Sequence, residues 1–224
     1  MPEVAVLFDV NALLKEPKDV SQYMFEVIQN VFGHLIDNID MSDYEGMTSQ
    51  EMVIAILKKN GINDSDINGK LANYIEEVPY SHYNVAGHDA ITVADGAKDA
   101  LESLRKSTNV VVGMATGQME RITRNMFERA HMDMDSYFKI GAYGSISPEF
   151  SKILEDAVSK AESRGVSRAN IYFVSGAPQP IAIAKSLGVK PIGVAFGKYS
   201  KAELEQAGAS PAVKNVKDVV KLAR

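Results

Sequence analysis

Runs of consecutive apolar residues alternate with helically spaced apolar residues along most of this chain. Four runs bounded by turn residues predict buried parallel strands, and they are VAVLFD (4–9), NVVVGMAT (109–116), NIYFVSG (170–176) and PIGVAFG (191–197). A weaker run, YFKIGAYG (137–144), predicts one more strand between the second and the third. Because strands and helices alternate, we expect an α/β fold with a parallel sheet covered by helices on both faces.

The long interval between the first two strands interrupts this alternation, because its apolar spacing predicts only helices. The residues that mark the first helix are Val20, Met24, Val27, Ile28, Val31 and Leu35. A capping box, TSQE (48–51), starts a second helix, a third covers roughly residues 66–77, and VPYSHYNVAGH (78–88) predicts a loop. An all-helical insert here would form a cap over the carboxyl ends of the strands, where ligands bind in open parallel sheets.

We therefore expect a core domain of residues 1–14 plus 91–224 and a helical cap domain of residues 15–90. The net charge of −5 does not favour a nucleic-acid or membrane partner, and we expect neither. The absence of Cys excludes disulfides, thiolate metal sites and a cysteine nucleophile. The first residues lack a basic leader, and no apolar run reaches transmembrane length, so we expect a cytoplasmic protein.

The order of strand, Asp, helical insert, strand ending in Thr, and further strand–helix pairs resembles the haloacid dehalogenase-like superfamily. The chain looks like the phosphoglycolate phosphatase branch of that superfamily. The segments that carry the resemblance are FDVNALL (8–14), GMTSQEMVIAILKKNGI (46–62), VGMATGQ (112–118), FKIGAYGS (138–145) and PIGVAFGKYSKAELEQAGA (191–209). The resemblance implies a three-layer αβα sandwich with the strand order 3-2-1-4-5, which right-handed crossovers permit.

The resemblance also implies roles for five residues. Asp9 stands at the position of the family's nucleophile, which attacks phosphorus. Asn11 stands where the family has the Asp that transfers protons, and an amide cannot act as a carboxylate acid or base. Thr116 and Gly117 match the strand end that holds the phosphoryl oxygens, and Lys152 is the nearest candidate for the family's basic phosphate contact.

The family's magnesium motif is degenerate in this chain. The segment VSGAPQPI (174–181) stands where the family has V-G-D-T-P-x-D-I, so Gly176 and Pro180 occupy the positions of the two metal-binding acids. Mg²⁺ requires hard oxygen ligands in octahedral array. We therefore expect no metal site and no cofactor, with Mg²⁺ required only if the protein is a phosphatase whose acids lie elsewhere.

Plainer roles stay open for the same residues. Asp9 can be a turn acid at a strand end, and Thr116 can bond the backbone. Gly117 can serve the turn, and Lys152 can be a solvated helix residue. Three functions therefore remain. The first is a catalytically impaired protein that binds phosphate or a small phosphorylated metabolite. The second is an active phosphatase that uses displaced acids such as Asp95 or Glu149, and the third is a structural or regulatory subunit.

Overall fold

The structure is a computed structural model, and it describes residues 2–16, 22–36, 39–44, 46–86 and 90–223. Its strands are β1 (Val4–Phe8), β2 (Leu14–Lys15), β3 (Thr92–Val93), β4 (Val110–Thr116), β5 (Ile140–Tyr143), β6 (Ile171–Ser175), β7 (Lys190–Val194) and β8 (Ala212–Val213). Its helices are α1 (Gln22–Phe32), α2 (Ser49–Lys59), α3 (Asp64–Ala86), α4 (Ala97–Arg105), α5 (Glu120–Arg129), α6 (Met134–Tyr137), α7 (Phe150–Glu162), α8 (Pro178–Ser186), α9 (Lys201–Gln206) and α10 (Val219–Leu222). No helix among these residues is long and apolar enough to cross a membrane.

The main sheet is parallel and has the order β5-β4-β1-β6-β7-β8. Strand β1 lies at its centre, where Val6 pairs with Val112 of β4 on one side and with Tyr172 of β6 on the other. The expected α/β fold and the order 3-2-1-4-5 are confirmed. The sixth strand, β8, was not predicted, because two residues are too short to give a periodic signal.

The sheet separates two apolar layers because successive side chains of each strand point to opposite faces. On β1, Val6 and Phe8 join the larger cluster, which extends into the cap, while Ala5 and Leu7 face the helix α7 side. All four are fully buried. Strands covered on both faces read as continuous apolar runs, which is the pattern from which they were predicted.

The cap helices are α1, α2 and α3. The capping box predicted at the start of α2 is confirmed, since the Thr48 side chain accepts from the Glu51 N–H and the Glu51 side chain accepts from the Thr48 N–H. Leu35, expected on the first helix, is 67% exposed and lies beyond the helix end at Phe32. Gly33, with φ of +75°, ends that helix instead. Val20 lies outside the described residues.

The loop predicted from residue 78 is wrong as far as residue 86, because α3 continues through Pro79. Proline removes one helical N–H, which made a helix end at this point the better sequence-based expectation. Packing outweighs that loss, since Val78, His82 and Ala86 are buried, and the His82 ring contacts Tyr23 of α1 at 4.8 Å. Residues 87 and 88 of the predicted loop lie outside the described residues.

The junction between the core and the helical insert contains a short antiparallel ribbon that was not predicted. Leu14 of β2 pairs with Val93 of β3, and Lys15 pairs with Thr92. The interval therefore contains strand residues, although it was expected to be all helical. Two-residue strands carry no detectable alternation, which is why the sequence did not reveal them. The division into domains at residues 14/15 and 90/91 stays a prediction.

Candidate functional site

Three polar side chains meet at the carboxyl ends of neighbouring strands. Asp9 directly follows β1, Thr116 is the last residue of β4, and Ser175 is the last residue of β6. Strands β4 and β6 flank β1 in the sheet, so these three side chains lie together at one edge. All three are buried, and Asp9 retains only 4% of its accessible surface.

Both carboxylate oxygens of Asp9 accept hydrogen bonds from hydroxyl groups. The Thr116 hydroxyl donates to Oδ1 at 2.7 Å, and the Ser175 hydroxyl donates to Oδ2 at 3.0 Å. The backbone N–H and the side chain of Asn11 also direct hydrogen bonds to this carboxylate. The carboxylate is therefore held in place by uncharged donors alone.

Burial raises the pKa of Asp9 from its ordinary value of 3.8 to about 6. The hydrogen bonds from Thr116, Ser175 and Asn11 lower the pKa, but together they do not offset the desolvation. A cation close to the carboxylate would have the opposite effect on the pKa and would favour the ionised form. The raised pKa thus reflects a buried acid for which the neighbours that the structure describes supply no compensating positive charge.

The Asn11 side chain binds the backbone of a neighbouring turn, and its amide cannot transfer protons as a carboxylate does. Its Oδ1 accepts from the Gly176 N–H at 2.8 Å and lies 3.2 Å from the Ser175 hydroxyl oxygen. The Ser175 oxygen in turn accepts from the Ala177 N–H at 3.2 Å. These bonds tie the turn after β1 to the turn after β6, and they engage the amide that replaces the family's acid.

The residues at the family's magnesium position do not fit a magnesium ion. A Cβ placed on Gly176 would lie 3.0 Å from the Asn11 carbonyl oxygen, so this position has no room for an acidic side chain without local movement. Pro180 offers no side-chain oxygen. Within the described parts of the chain, no group of three or more His, Asp or Glu residues is placed to hold a metal ion. Asp9 alone supplies too few anionic oxygens for Mg²⁺.

A cavity of about 200 Å³, called here the Asp9 cavity, lies between this edge of the sheet and the cap. The residues that line it are Asp9, Val10, Asn11, Gly46, Met47, Ser49, Met52, Thr116, Gly117, Gln118, Phe150, Ala177 and Pro180. None of these described lining residues is basic. Lys152 does not line the cavity, because its exposed ammonium pairs with Glu149 at 2.6 Å on the outer side of α7. The structure thus brings Asp9, Asn11, Thr116 and Gly117 together and leaves Lys152 outside.

The start of cap helix α2 is bonded directly to the loop after β4. The Ser49 N–H donates to the Gly117 carbonyl at 2.9 Å, and the Ser49 hydroxyl donates to the Gln118 side chain at 2.7 Å. A Cβ on Gly117 would lie 3.1 Å from the Thr48 Cα, so glycine permits this close approach. The buried Gln50 side chain donates to the Gly144 carbonyl at 2.7 Å and fixes the cap on the next loop. The start of α2 is therefore fixed to the core beside the cavity.

Ser175 is the site residue that the sequence reasoning missed. The segment NIYFVSG was assigned to a strand, and the comparison of VSGAPQPI with the family motif considered only Gly176 and Pro180, the positions of the two acids. The available signal was a hydroxyl residue at the carboxyl end of a strand expected to lie beside β1. In parallel sheets that edge is where side chains from adjacent strands converge.

No protein-family model matches the chain. A phosphoglycolate phosphatase of Pseudomonas fluorescens (strain Pf0-1) is 26% identical over 137 residues, which are 61% of this chain. The matched part spans only 49% of that relative's length.

Solved structures resemble the chain over nearly its whole length. A protein from Haemophilus somnus 129pt, described as a predicted phosphoglycolate phosphatase, aligns with a TM-score of 0.70 and 14% identity, covering 100% of this chain and 98% of that one. A hydrolase from Pseudomonas syringae gives 0.69 and 17%, covering 97% and 96%. A haloacid dehalogenase-like family hydrolase from Streptococcus pneumoniae gives 0.66 and 12%, covering 99% and 98%. The fold is the haloacid dehalogenase-like fold, and the resemblance stated from the sequence is confirmed.

Proposed function

We propose that this haloacid dehalogenase-like chain is a catalytically impaired protein that binds a small phosphorylated molecule between core and cap and does not hydrolyse it. The observation that carries the proposal is the state of Asp9. Its two oxygens are engaged by the Thr116 and Ser175 hydroxyls, and the cavity around it has no basic residue among its described lining.

The missing metal-binding acids and the missing proton-transferring Asp explain why we expect no phosphate hydrolysis. Like charges about 4 Å apart repel by roughly 1 kcal/mol in water and about 4 kcal/mol at an effective dielectric constant near 20. An ionised Asp9 would face this repulsion from each charge on a phosphoryl group with no metal to offset it. General acid–base help, worth about 10²–10⁴-fold, is also missing because Asn11 replaces the acid.

Retention of the cavity supports a binding role. The cavity between core and cap, the buried polar edge and the resemblance to a phosphoglycolate phosphatase favour a small phosphorylated ligand. Because charged phosphate esters do not cross apolar barriers unaided, the proposal includes the cytoplasmic location expected from the sequence. The sequence predicts that Thr116 holds the phosphoryl group. In the structure the Thr116 hydroxyl donates its proton to Asp9, so a phosphoryl oxygen would have to compete with Asp9 for that proton.

An active phosphatase with displaced acids is the competing function. Its two candidate acids, Asp95 and Glu149, are exposed, and neither lines the Asp9 cavity. The geometry therefore gives this second function no support.

The deciding experiment is a phosphate-release assay with p-nitrophenyl phosphate and with phosphoglycolate, in the presence of millimolar Mg²⁺. The Asp9→Ala variant, purified in parallel, measures any contaminating phosphatase. We expect wild type and variant to give the same background rate. Magnesium-dependent release that disappears in Asp9→Ala would overturn the proposal. Absence of both turnover and binding of either compound would favour the structural-subunit alternative.

A further inference from the structure

A second cavity of about 220 Å³ lies beside the Asp9 cavity, and the two share Asn11, Gly46 and Ala177. We call it the lysine cavity. The rest of its lining consists of Leu14, Lys15, Gly176, Phe196, Gly197, Lys198 and Tyr199. It is therefore built by the end of β2, the turn after β6 and the segment after β7.

The two cavities have opposite charge. Among their described lining residues, the Asp9 cavity has one carboxylate and no cation, whereas the lysine cavity has two lysines, both exposed, and no carboxylate. Burial of Asp9 strengthens its repulsion of an anion, because the interaction takes place in a low dielectric. An anionic group is thus disfavoured in the first cavity and favoured in the second.

The hydrogen-bond donors follow the same division. In the Asp9 cavity, the hydroxyl protons of Thr116 and Ser175 are both directed to the Asp9 carboxylate. In the lysine cavity, the Lys15 ammonium has three donors that can bind phosphate or carboxylate oxygens, while the Lys198 ammonium lies 5.9 Å from the centre of the Tyr199 ring and adds its positive charge. Charge and hydrogen bonding therefore point to the same cavity.

We propose that the lysine cavity binds the anionic group of the ligand, between Lys15 and Lys198, and that the uncharged part extends past Asn11 into the Asp9 cavity. This inference rests on the proposed binding function and assigns the position of the anion. It places that group away from the position where the family resemblance puts the phosphoryl group.

The linings also define the ligand's chemical class. The lysine cavity is lined by the aromatic residues Phe196 and Tyr199, and Gly197 leaves open space where a side chain would stand. The two volumes together lie within the range of about 300–1,000 Å³ that is typical of small-molecule sites. We therefore assign a small monophosphate or carboxylate whose body is compact and partly apolar.

Lys198 has a second electrostatic neighbour. The pKa of the Glu203 carboxyl is lowered, first by hydrogen bonds from Ser200 and also by the charge of Lys198. A ligand anion would have to share Lys198 with that carboxylate. We therefore expect Lys15 to contribute more to ligand affinity than Lys198.

The test is a titration of the full chain with phenyl phosphate, with inorganic phosphate and benzoate as comparison probes. Amide shifts of Gly197 report on the lysine cavity, and those of Gly117 report on the Asp9 cavity. Lys15→Met and Lys198→Met remove the charges, and Lys201→Met removes an exposed lysine nearby that does not line the cavity. We expect about tenfold weaker binding for Lys15→Met, a smaller loss for Lys198→Met and no loss for Lys201→Met. Phenyl phosphate should bind more tightly than inorganic phosphate, because its ring adds apolar surface that is buried beyond the anionic group.

Several outcomes would overturn the inference. These are a wild type that binds none of the probes, lysine variants that bind as tightly as Lys201→Met, and shifts centred on Gly117 with Gly197 unmoved. If benzoate binds and phenyl phosphate does not, the site takes a carboxylate, and the phosphorylated ligand of the proposed function is wrong while the lysine site stands. Release of inorganic phosphate during the titration would refute the proposed function, while the lysine variants would still decide the position of the anion.

Discussion

Asp9 and Glu16 lie close together in the sequence, but their surroundings shift the pKa values of their carboxyl groups in opposite directions. Asp9 follows β1 at the candidate site, and burial raises its pKa to about 6. Glu16 follows β2 at the entrance to the cap, and its pKa is lowered, because bonds from His82 and Arg129 and the charge of Arg129 outweigh the effect of burial. The difference lies in the partners, since among the described residues Glu16 has a cation beside it and Asp9 has none.

The ion pair of Glu16 joins the core to the cap. Arg129 of α5 binds both Glu16 oxygens, at 3.0 and 2.9 Å, with its own side chain only 6% exposed. His82 of cap helix α3 lies 3.1 Å from Oε1 of the same carboxylate. Because a carboxylate only accepts hydrogen bonds, His82 Nε2 carries the proton in this contact.

The comparison shows where this protein places positive charge. In the family that the chain resembles, countercharge at the first Asp supports phosphoryl transfer. Here a two-pronged arginine contact compensates Glu16 and fixes the cap, while Asp9 has only hydroxyl and amide donors. The charged groups at the core–cap boundary thus hold the cap on the core instead of neutralising Asp9. This supports the proposal of a binding protein without turnover.

Removing Arg129, the cation that pairs with Glu16, should have the largest effect on the stability of the fold. Arg129→Met keeps the side-chain volume but leaves Glu16 without its cation, and removing one partner of a buried pair costs about 3–5 kcal/mol. Glu16 retains 17% exposure, so we expect a loss near the lower end, about 3 kcal/mol, in urea unfolding.

The matched control is Arg121→Met on the same helix, whose exposed guanidinium contacts Tyr80 and should contribute less than about 1 kcal/mol. Adding Glu16→Gln to Arg129→Met should recover part of the stability, because it removes the unpaired charge. Equal losses in Arg129→Met and Arg121→Met would contradict this view of the junction.

Removing the uncompensated charge should stabilise the protein. The folded pKa of Asp9, about 6, lies above its ordinary value of 3.8, so the folded state binds this proton more tightly than the unfolded chain does. The contribution of Asp9 to stability therefore falls as the pH rises from about 4 to 6, by about 3 kcal/mol in total. Asp9→Asn, measured by urea unfolding, should gain by that amount over wild type between about pH 4 and neutral pH.

The loss of stability caused by Glu16→Gln should depend on pH in the opposite way. Because the folded pKa of Glu16 is lowered, its stabilising contribution is present above the unfolded pKa of 4.5 and disappears as the pH falls through the folded pKa. A pH-independent difference between Asp9→Asn and wild type would mean that Asp9 is not a strained, uncompensated acid.

A smaller effect is expected from Ser175→Ala. This variant removes the donor to Asp9 Oδ2 and the acceptor of the Ala177 N–H, which should cost about 1–3 kcal/mol in unfolding free energy at neutral pH. Ser186→Ala, which removes an exposed hydroxyl bonded to its own helix, is the matched control and should change stability by less than about 0.5 kcal/mol. If Asp9 is first replaced by Asn, the cost of Ser175→Ala should shrink, because no charge is left without a donor.

The sequence predicted the sheet better than it predicted the side chains around the site. Long apolar runs located the main strands, and their order followed from the family resemblance. The course of α3 beyond Pro79 depended on burial against α1, which local pattern does not reveal. The bonds of Asp9 to Thr116 and Ser175 join residues more than a hundred positions apart and arise only when β4 and β6 flank β1.

The position of Lys152 shows the same limit. By the resemblance, the family's basic contact, an Arg, would fall on Phe150, and Lys152 is two positions later. Each position along a helix turns the side chain by about 100°. In the structure Phe150 lines the cavity and Lys152 points outward to Glu149. A shift of two positions was therefore enough to remove the cation from the site.

The central claim is that Asp9 is a buried carboxylate without a cation, and its titration tests this directly. Carbon-13 NMR of labelled aspartate carboxyl groups, assigned by the loss of one signal in Asp9→Asn, gives the pKa with and without millimolar Mg²⁺. We expect a pKa of about 6 that Mg²⁺ does not change. A pKa at or below the ordinary value of 3.8, or one that Mg²⁺ lowers, would show that a countercharge reaches Asp9.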